Sequence, residues 1–457
     1  MSPPNPSSRV MSYPQHVRAI TILGLPLIGG HLSQFAIGMT DTVMLGWYGI
    51  DALAAITLAS SYFFTLFIMG AGFAFAVMPM VASFNAEGDE INLRRATRMG
   101  MWLSIIFAVM VMPLLWWSSG VLQAFGQDQQ ISDAAQGYLR VAGWAMFPAL
   151  LAVVIKSYLA ALERTQIVLW ISLASAGING LANYALIFGN WGAPELGLQG
   201  AAIASLSTQI LVLAGVVAYA VLVLPQHALF QRLWRLDPEM FGRVFRLGWP
   251  ISLTGLAESG LFVASALMMG WLGTVPLAAH GIAITMASAT FMVHLGLSNA
   301  ATIRAGNAFG RQDPDHLARG GSTAIALSLV MSMVTIVVFV TMPEPLINAF
   351  LDSADPAKEQ IISIGIALLA MAALFQLVDG AQAIALGLLR GVHDTKAPMA
   401  IAAISYWVVG IPCSYLLGFV FNFGGVGVWT GLVTGLAFAA VLLMARFWGP
   451  TMRDLRA

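Results

Sequence analysis

An all-α integral membrane protein is the fold class this sequence predicts, with about twelve transmembrane helices in two pseudo-symmetric six-helix lobes around a central cleft. Three observations predict it: an apolar composition, about twelve apolar runs of spanning length, and an internal repeat at a constant offset. Hydrophobic residues make up 59% of the chain and charged residues only 9%, and the mean hydropathy is +0.82. A soluble chain carries about 25% charged residues, so this one cannot cover itself with a wettable surface. Lipid must solvate it.

A spanning helix needs about 20 mostly apolar residues. Runs of that kind fall at 18–46, 52–84, 99–119, 134–160, 167–189, 200–224, 245–272, 278–309, 321–343, 360–389, 398–421 and 426–448. None alternates in the way barrel strands do, so helices are expected throughout. Residues 1–17 are polar, rich in Pro and Ser, and lack the short apolar core of a cleavable signal, so they read as a retained tail. Residues 18–224 then form the N-lobe, the charged, Pro-containing stretch 225–243 a linker, 244–449 the C-lobe, and 450–457 a second tail.

The repeat relates the two lobes. Leu23-Gly24-Leu25-Pro26 matches Leu247-Gly248-Trp249-Pro250, Gly46-Trp47 matches Gly270-Trp271, Leu53-Ala54-Ala55 matches Leu277-Ala278-Ala279, and Gly72 matches Gly296, always 224 residues apart. Six helices separate the copies, an even number, so both lobes share one topology and an axis along the membrane normal relates them. Two such lobes facing each other enclose a cleft that rocking can open to either side. Basic residues cluster at 94–98, 232–243, 304–319, 390–396 and 446–456, whereas only Arg140 and Lys358 fall near the opposite face, which places both termini in the cytoplasm.

Composition also excludes several function classes. The formal net charge is +0, which leaves no basic excess for a nucleic-acid partner. Cys413 is the single cysteine, so no internal disulfide can form. Acid-rich metal motifs of intramembrane phosphate or prenyl chemistry are not evident, nor is a proteolytic constellation, and no enzyme activity is expected.

Three carboxylates deep in apolar runs carry the chemistry. An acidic group in a membrane interior costs several kcal/mol, roughly 2.5–3.5 on insertion scales, and is seldom kept without a task. A cation or proton site is the default reading. Glu258 stands at the centre of the seventh run, and its repeat counterpart is Gln34. Asp379 lies in the tenth run and has no acidic counterpart, so Glu258 and Asp379 are expected to pair in the second lobe, sharing a proton or binding Na+ through oxygen. Asp41 lies in the outer part of the first run. Asn179 and Asn183 are spaced i, i+4 in the fifth, so their amides share a face and suit either that carboxylate or interhelical packing.

Pro26 removes a backbone hydrogen bond and marks an expected kink in the first helix, with either a static or a conformational role. Gln34, Phe375 and Gln382 are placed in the cleft as cargo contacts, and the abundant Met, Phe and Trp suit an adaptable aromatic surface. His31, His280 and His294 read as satisfied hydrogen-bonding groups. Lys156, close to the end of its run, reads as a side chain that reaches toward the headgroups.

Met39-Thr40-Asp41-Thr42-Val43-Met44-Leu45-Gly46, the two Leu-Gly-x-Pro copies, Asp379-Gly380-Ala381-Gln382 through Gly387-Leu388-Leu389-Arg390-Gly391, and Asp394-Thr395-Lys396-Ala397-Pro398-Met399 together form a specific signature. It resembles that of the multidrug and toxic compound extrusion (MATE) transporters over nearly the whole chain, and the presence of both Glu258 and Asp379 resembles the NorM branch. The resemblance implies antiport: small cationic or aromatic compounds leave a bacterial inner membrane in exchange for H+ or Na+, with no cofactor and with the protein a monomer. It also implies that Glu258 and Asp379 bind the coupling cation, and that Asp41 with Asn179 and Asn183 forms a first-lobe site. Some NorM proteins have a cation-binding Tyr where this chain has Phe375. A lipid-linked oligosaccharide flippase is the alternative, but its pyrophosphate cargo would call for a cleft lined with Arg or Lys.

Overall fold

The computed structural model describes residues 11–351 and 356–456; the first ten residues of the expected tail lie outside the described residues. Twelve helices long and apolar enough to span a membrane are present among them. These are α1 (Tyr13–Tyr48), α2 (Ile50–Glu87), α3 (Glu90–Trp116), α4 (Gln129–Ala161), α5 (Thr165–Phe188), α6 (Leu198–Val223), α7 (Pro238–Leu272), α8 (Thr274–Gly310), α9 (Pro314–Thr341), α10 (Lys358–Gly391), α11 (Lys396–Val420) and α12 (Gly424–Arg456). Short helices Ser118–Ala124 and Pro343–Asn348 follow α3 and α9 at equivalent places.

Number and order follow the apolar runs, but the helices reach past them. Hydropathy marks only the part of a helix that lies in lipid, while polar caps carry it on into water. Helix α3 begins at Glu90 because the Asp89 carboxylate accepts from the Asn92 N–H at 2.9 Å. Its counterpart Asp313 caps α9 in the same way, accepting from the His316 N–H at 2.9 Å. The residues just before the caps, Gly88 (φ 76°) and Gln312 (φ 53°), are both left-handed, so the repeat extends to the backbone of the turn. At the other end, α12 stays helical to Arg456 and takes in most of the expected C-terminal tail.

Two compact units are present, and their boundaries fall inside helices rather than in the linker. One unit takes the chain up to Ile28 and again from Gly260 onward; the other is Gly29–Ser259. Each contains one copy of the same helix crossing. In Gly29–Ser259, α2 meets α7 at Gly72, where a Cβ would stand 2.5 Å from the Ser252 nitrogen and 2.8 Å from the Gly248 oxygen. In the other unit, α8 meets α1 at Gly296, where a Cβ would stand 2.7 Å from the Ile28 nitrogen. Ile28 and Ser252 are themselves repeat counterparts. Both crossings therefore bring backbone onto backbone, which only glycine permits.

Small residues set the other close contacts as well, as is usual where lipid supplies no hydrophobic drive between helices. Helix α8 packs on α10 through Ser298, whose hydroxyl donates to the Ala383 carbonyl at 2.6 Å, and through Thr302, which donates to the Gly387 carbonyl at 2.9 Å. Helix α12 lies on α11 at Gly431, where a Cβ would sit 2.2 Å from the Ser414 nitrogen. Helix α11 itself widens to π geometry at Ile404–Gly410 and Leu416–Val420. In the Gly29–Ser259 unit, Leu66, Val111, Leu115, Leu139 and Leu150 of α2, α3 and α4 form an apolar core.

The linker is held to the Gly29–Ser259 unit. Arg98 donates to the carbonyls of Ala228 and Leu229, each at 2.7 Å, and the Trp102 indole donates to the Leu233 carbonyl at 2.6 Å. Arg95 pairs with Asp237, and with Glu239 at 3.2 Å. The adjacent guanidinium holds the Asp237 carboxyl below the usual carboxylate range.

Two predictions follow from these contacts. Gly72→Ala and Gly296→Ala are each expected to destabilise the protein by about 1–3 kcal/mol, because a methyl group must displace backbone. Thermal unfolding in detergent would show this as a lowered Tm, whereas Gly242→Ala, with open space around it, should leave Tm unchanged or slightly raised. Because the folded pKa of Asp237 is depressed, its ion pair contributes fully above the ordinary carboxyl pKa of about 4 and is lost as pH falls through the lower folded value. Proteolytic nicking of 225–237 should therefore be flat from pH 8 to 5 in the wild type and rise only in stronger acid. Arg95→Ala should raise it at pH 7.

Candidate functional site

Asp41, Asn179 and Asn183 come together inside the Gly29–Ser259 unit. Asn179 and Asn183 lie one turn apart on α5, in a buried polar stripe that begins with Ser172 and Ser175, so one face of an otherwise apolar helix carries hydrogen-bonding groups toward α1. Asp41, 8% exposed, receives that face. The Asn183 amide donates to one carboxylate oxygen at 2.5 Å, and the Ser205 hydroxyl donates to the other at 3.0 Å. Each oxygen thus has a donor. The same Asn183 nitrogen lies 3.2 Å from the Asn179 oxygen, and the Asn179 nitrogen lies 3.5 Å from the Thr208 hydroxyl. The Asn183 carbonyl oxygen is buried and has no hydrogen-bond partner.

Sequence reasoning missed Ser205 and Thr208 of α6 and Tyr138 of α4. The Tyr138 phenol lies close to Ser205 and within range of the Asp41 charge. Ser205 and Thr208, spaced i, i+3 in an apolar run, carried a signal of the same kind as the Asn pair. Tyr138 carried none, since a buried tyrosine in a membrane helix is commonplace. Together these groups offer one carboxylate, two amide oxygens, two hydroxyls and a phenol. An oxygen set of that kind can hold a proton on the carboxylate or a hard cation among the oxygens.

Glu258 lies partly buried on α7, at the end of the Gly29–Ser259 unit, and Asp379 is 1% exposed on α10 in the other unit. Phe375, one turn before Asp379, is 2% exposed, and its ring packs edge-on to Phe262 and Trp429 at centroid distances of 6.0 and 5.9 Å. Gln382 is buried and donates to the Tyr406 hydroxyl at 2.6 Å, whereas Gln34 is exposed on α1. Pro26 lies inside α1, which continues as helix on both sides of it.

Two of the intramembrane histidines, His280 and His294, are hydrogen-bonded groups, as their isolation suggested. His280 accepts from the Trp429 indole at 3.1 Å. His294 stands 2.9 Å from the Ser328 hydroxyl and 3.5 Å from that of Ser332, and Ser332 in turn donates to the Gln376 carbonyl at 3.0 Å. Gly380 makes room for this ring, because a Cβ there would lie 2.7 Å from His294.

A duplicated twelve-helix bundle that keeps a hydrogen-bonded carboxylate inside its apolar spans defines a multi-pass membrane protein of the carrier class. The MatE family model matches residues 26–185 and 250–416, one match per repeat, the two starting at Pro26 and Pro250. A probable multidrug resistance protein NorM of Rhizobium meliloti (strain 1021) is 44% identical over 96% of this chain and 94% of its own length. Another from Synechocystis sp. is 34% identical over 93% of each chain. Among solved structures, an outward-facing MATE family multidrug resistance transporter superposes with a TM-score of 0.88 at 19% identity, covering 97% of each chain. The eukaryotic MATE transporter AtDTX14 gives 0.84 at 21%, covering 97% of this chain and 99% of its own. The chain belongs to the MATE family of multidrug efflux transporters.

Proposed function

We propose that this protein is an antiporter that exports small cationic and aromatic compounds across a bacterial inner membrane, with both termini in the cytoplasm, in exchange for H+ or Na+. The observation that carries the reading is the Asp41 carboxylate, held off the apolar spans by the Asn183 amide and the Ser205 hydroxyl. Glu258 and Asp379 are further coupling acids in this reading. The halves related by the repeat alternate access to the two sides. A proton or cation that neutralises the acids lowers affinity for a cationic cargo in the outward-facing state, and its loss to the cytoplasm restores that affinity. The protein carries cargo and performs no chemistry on it.

Proton coupling is the reading we favour. A hard cation collects several oxygens, and Phe375 supplies none at the place where some relatives of the NorM branch have a tyrosine. A half-turn of the Asn183 amide would present its oxygen to the Asp41 carboxylate, so a sodium ion at that site would be held by Asp41, Asn179, Asn183 and Ser205. A flippase for a lipid-linked pyrophosphate fits less well, since three acids stand inside the spans against one lysine.

Dye uptake into inside-out vesicles, the direction that corresponds to efflux from the cell, under separately imposed pH and Na+ gradients tests this. A pH gradient alone, in sodium-free buffer, is expected to drive efflux; efflux that stays absent until Na+ is added would overturn proton coupling. Phe375→Tyr should then raise the response to sodium. Asp41→Asn, Glu258→Gln and Asp379→Asn should each abolish coupled efflux at equal expression. Asn183→Ala, which removes a direct donor to Asp41, should impair transport more than Asn179→Ala, and both less than Asp41→Asn.

A further inference from the structure

The two halves begin their first helices alike and then part in charge. Pro14 stands near the start of α1 as Pro238 stands at the start of α7, and Arg319 of α9 is the repeat counterpart of Arg95 on α3. Arg95 is answered by two acids of α7, Asp237 and Glu239. Their counterparts on α1 are Tyr13 and Gln15. Arg319 instead lies over the Tyr13 ring, 5.8 Å from its centroid, and donates to the Met11 carbonyl at 3.2 Å. Among the described residues no carboxylate pairs with it. More basic groups are added on this side of the repeat: Arg18 stands for Gly242, Arg304 for Met80, His16 for Met240 and His316 for Asn92. His16 is fully buried with its ring 4.6 Å from that of His316, and neither of its ring nitrogens has a hydrogen-bond partner. Asp313 lies within range of His16, but its carboxylate is taken up in capping α9.

This positive surplus adjoins an apolar groove. Tyr13, Pro14, Val17, Arg18, Thr21 and Ile22 line a groove of about 670 Å³ along α1. From Tyr13 to Ile22 it follows the helix for about 13 Å, nearly the depth of one leaflet's hydrocarbon. Tyr13 joins the two features, since its ring forms one end of the groove and lies under Arg319. A groove of this kind in a bilayer is filled by a lipid tail, and the charge at its end selects the headgroup.

We propose that the start of α1 and the α8–α9 turn form a binding site for one anionic phospholipid of the leaflet on the side of the termini. Arg18 and Arg319 hold its phosphate, and a tail lies along Val17, Thr21 and Ile22. The phosphate does for Arg319 what Asp237 and Glu239 do for Arg95. Arg304 and the two histidines strengthen the positive field behind it. The site lies within one compact unit and goes beyond the efflux reading, on which it does not depend.

Phosphatidylglycerol and phosphatidylcholine with the same acyl chains are titrated into the delipidated full chain in neutral detergent, and bound lipid is counted by native mass spectrometry. The wild type is expected to take up one phosphatidylglycerol at least about ten-fold more tightly than phosphatidylcholine. Arg18→Gln and Arg319→Gln should each weaken that binding about five-fold, the scale of one basic side chain at an anionic lipid surface, and Arg18→Lys should keep most of it. Arg243→Gln, which removes a charge from the matching turn of α7, should leave it unchanged. Thr21→Trp fills the groove without altering charge and should also weaken it. Equal affinity for the two lipids, an equal loss in Arg243→Gln, or unchanged binding in Arg18→Gln or in Thr21→Trp overturns the site. Displacement of phosphatidylglycerol by inorganic phosphate assigns the cluster to a free anion and overturns it too. Arg18 is exposed and Thr21 half-buried, so these two variants decide the outcome even where Arg319→Gln, which also loses the Met11 contact, fails to fold.

Discussion

Hydrocarbon offers no hydrogen bonds, so a polar group carried into the membrane is costly unless it is answered from within the protein. The Asn183–Asp41 bond is the sharpest instance of that constraint, because it takes an amide on α5 and a carboxylate on α1 and makes each a condition of the other's burial. Ser205 on α6 then follows, as does Asn179 behind Asn183. The rule also explains the Ser and Thr residues of the packed faces. Ser298, Thr302 and Ser332 each give their proton to a backbone carbonyl of a neighbouring helix.

Duplication kept the backbone and released the chemistry. The paired crossings at Gly72 and Gly296 and the paired caps at Asp89 and Asp313 are geometric, and at the two glycines any side chain would displace backbone. The ionisable positions are not matched. Gln34 faces Glu258 across the repeat, and Asp379 has no acidic partner in the first half. The two halves thus share a frame and differ in charge.

Much of this was legible in the sequence, and the residues show why. Spans, topology and repeat were readable because they depend on hydropathy and on steric demands local to the chain, such as Gly-Trp and Leu-Gly-x-Pro at one offset. Asp41 and the Asn pair were readable because polar residues in an apolar run stand out. Tyr138 was not, since its role arises from where α4 meets α6 and no spacing encodes that. The contact between Lys156 and Ser172 was hidden for the same reason, since it joins α4 to α5. The unit boundaries inside α1 and α7 were equally hidden, because the linker composition invited a cut at 225–243.

Those boundaries bear on how the protein is made. The unit built mainly from the first half still requires the opening of α7, which Gly72 receives against Gly248 and Ser252, and the start of α1 belongs with helices from the second half. Neither unit is complete when the first six helices have left the ribosome. The α2 face at Gly72 and the α1 face at Ile28 are made before their partners on α7 and α8, so neither crossing can close until the second half of the chain has been synthesised.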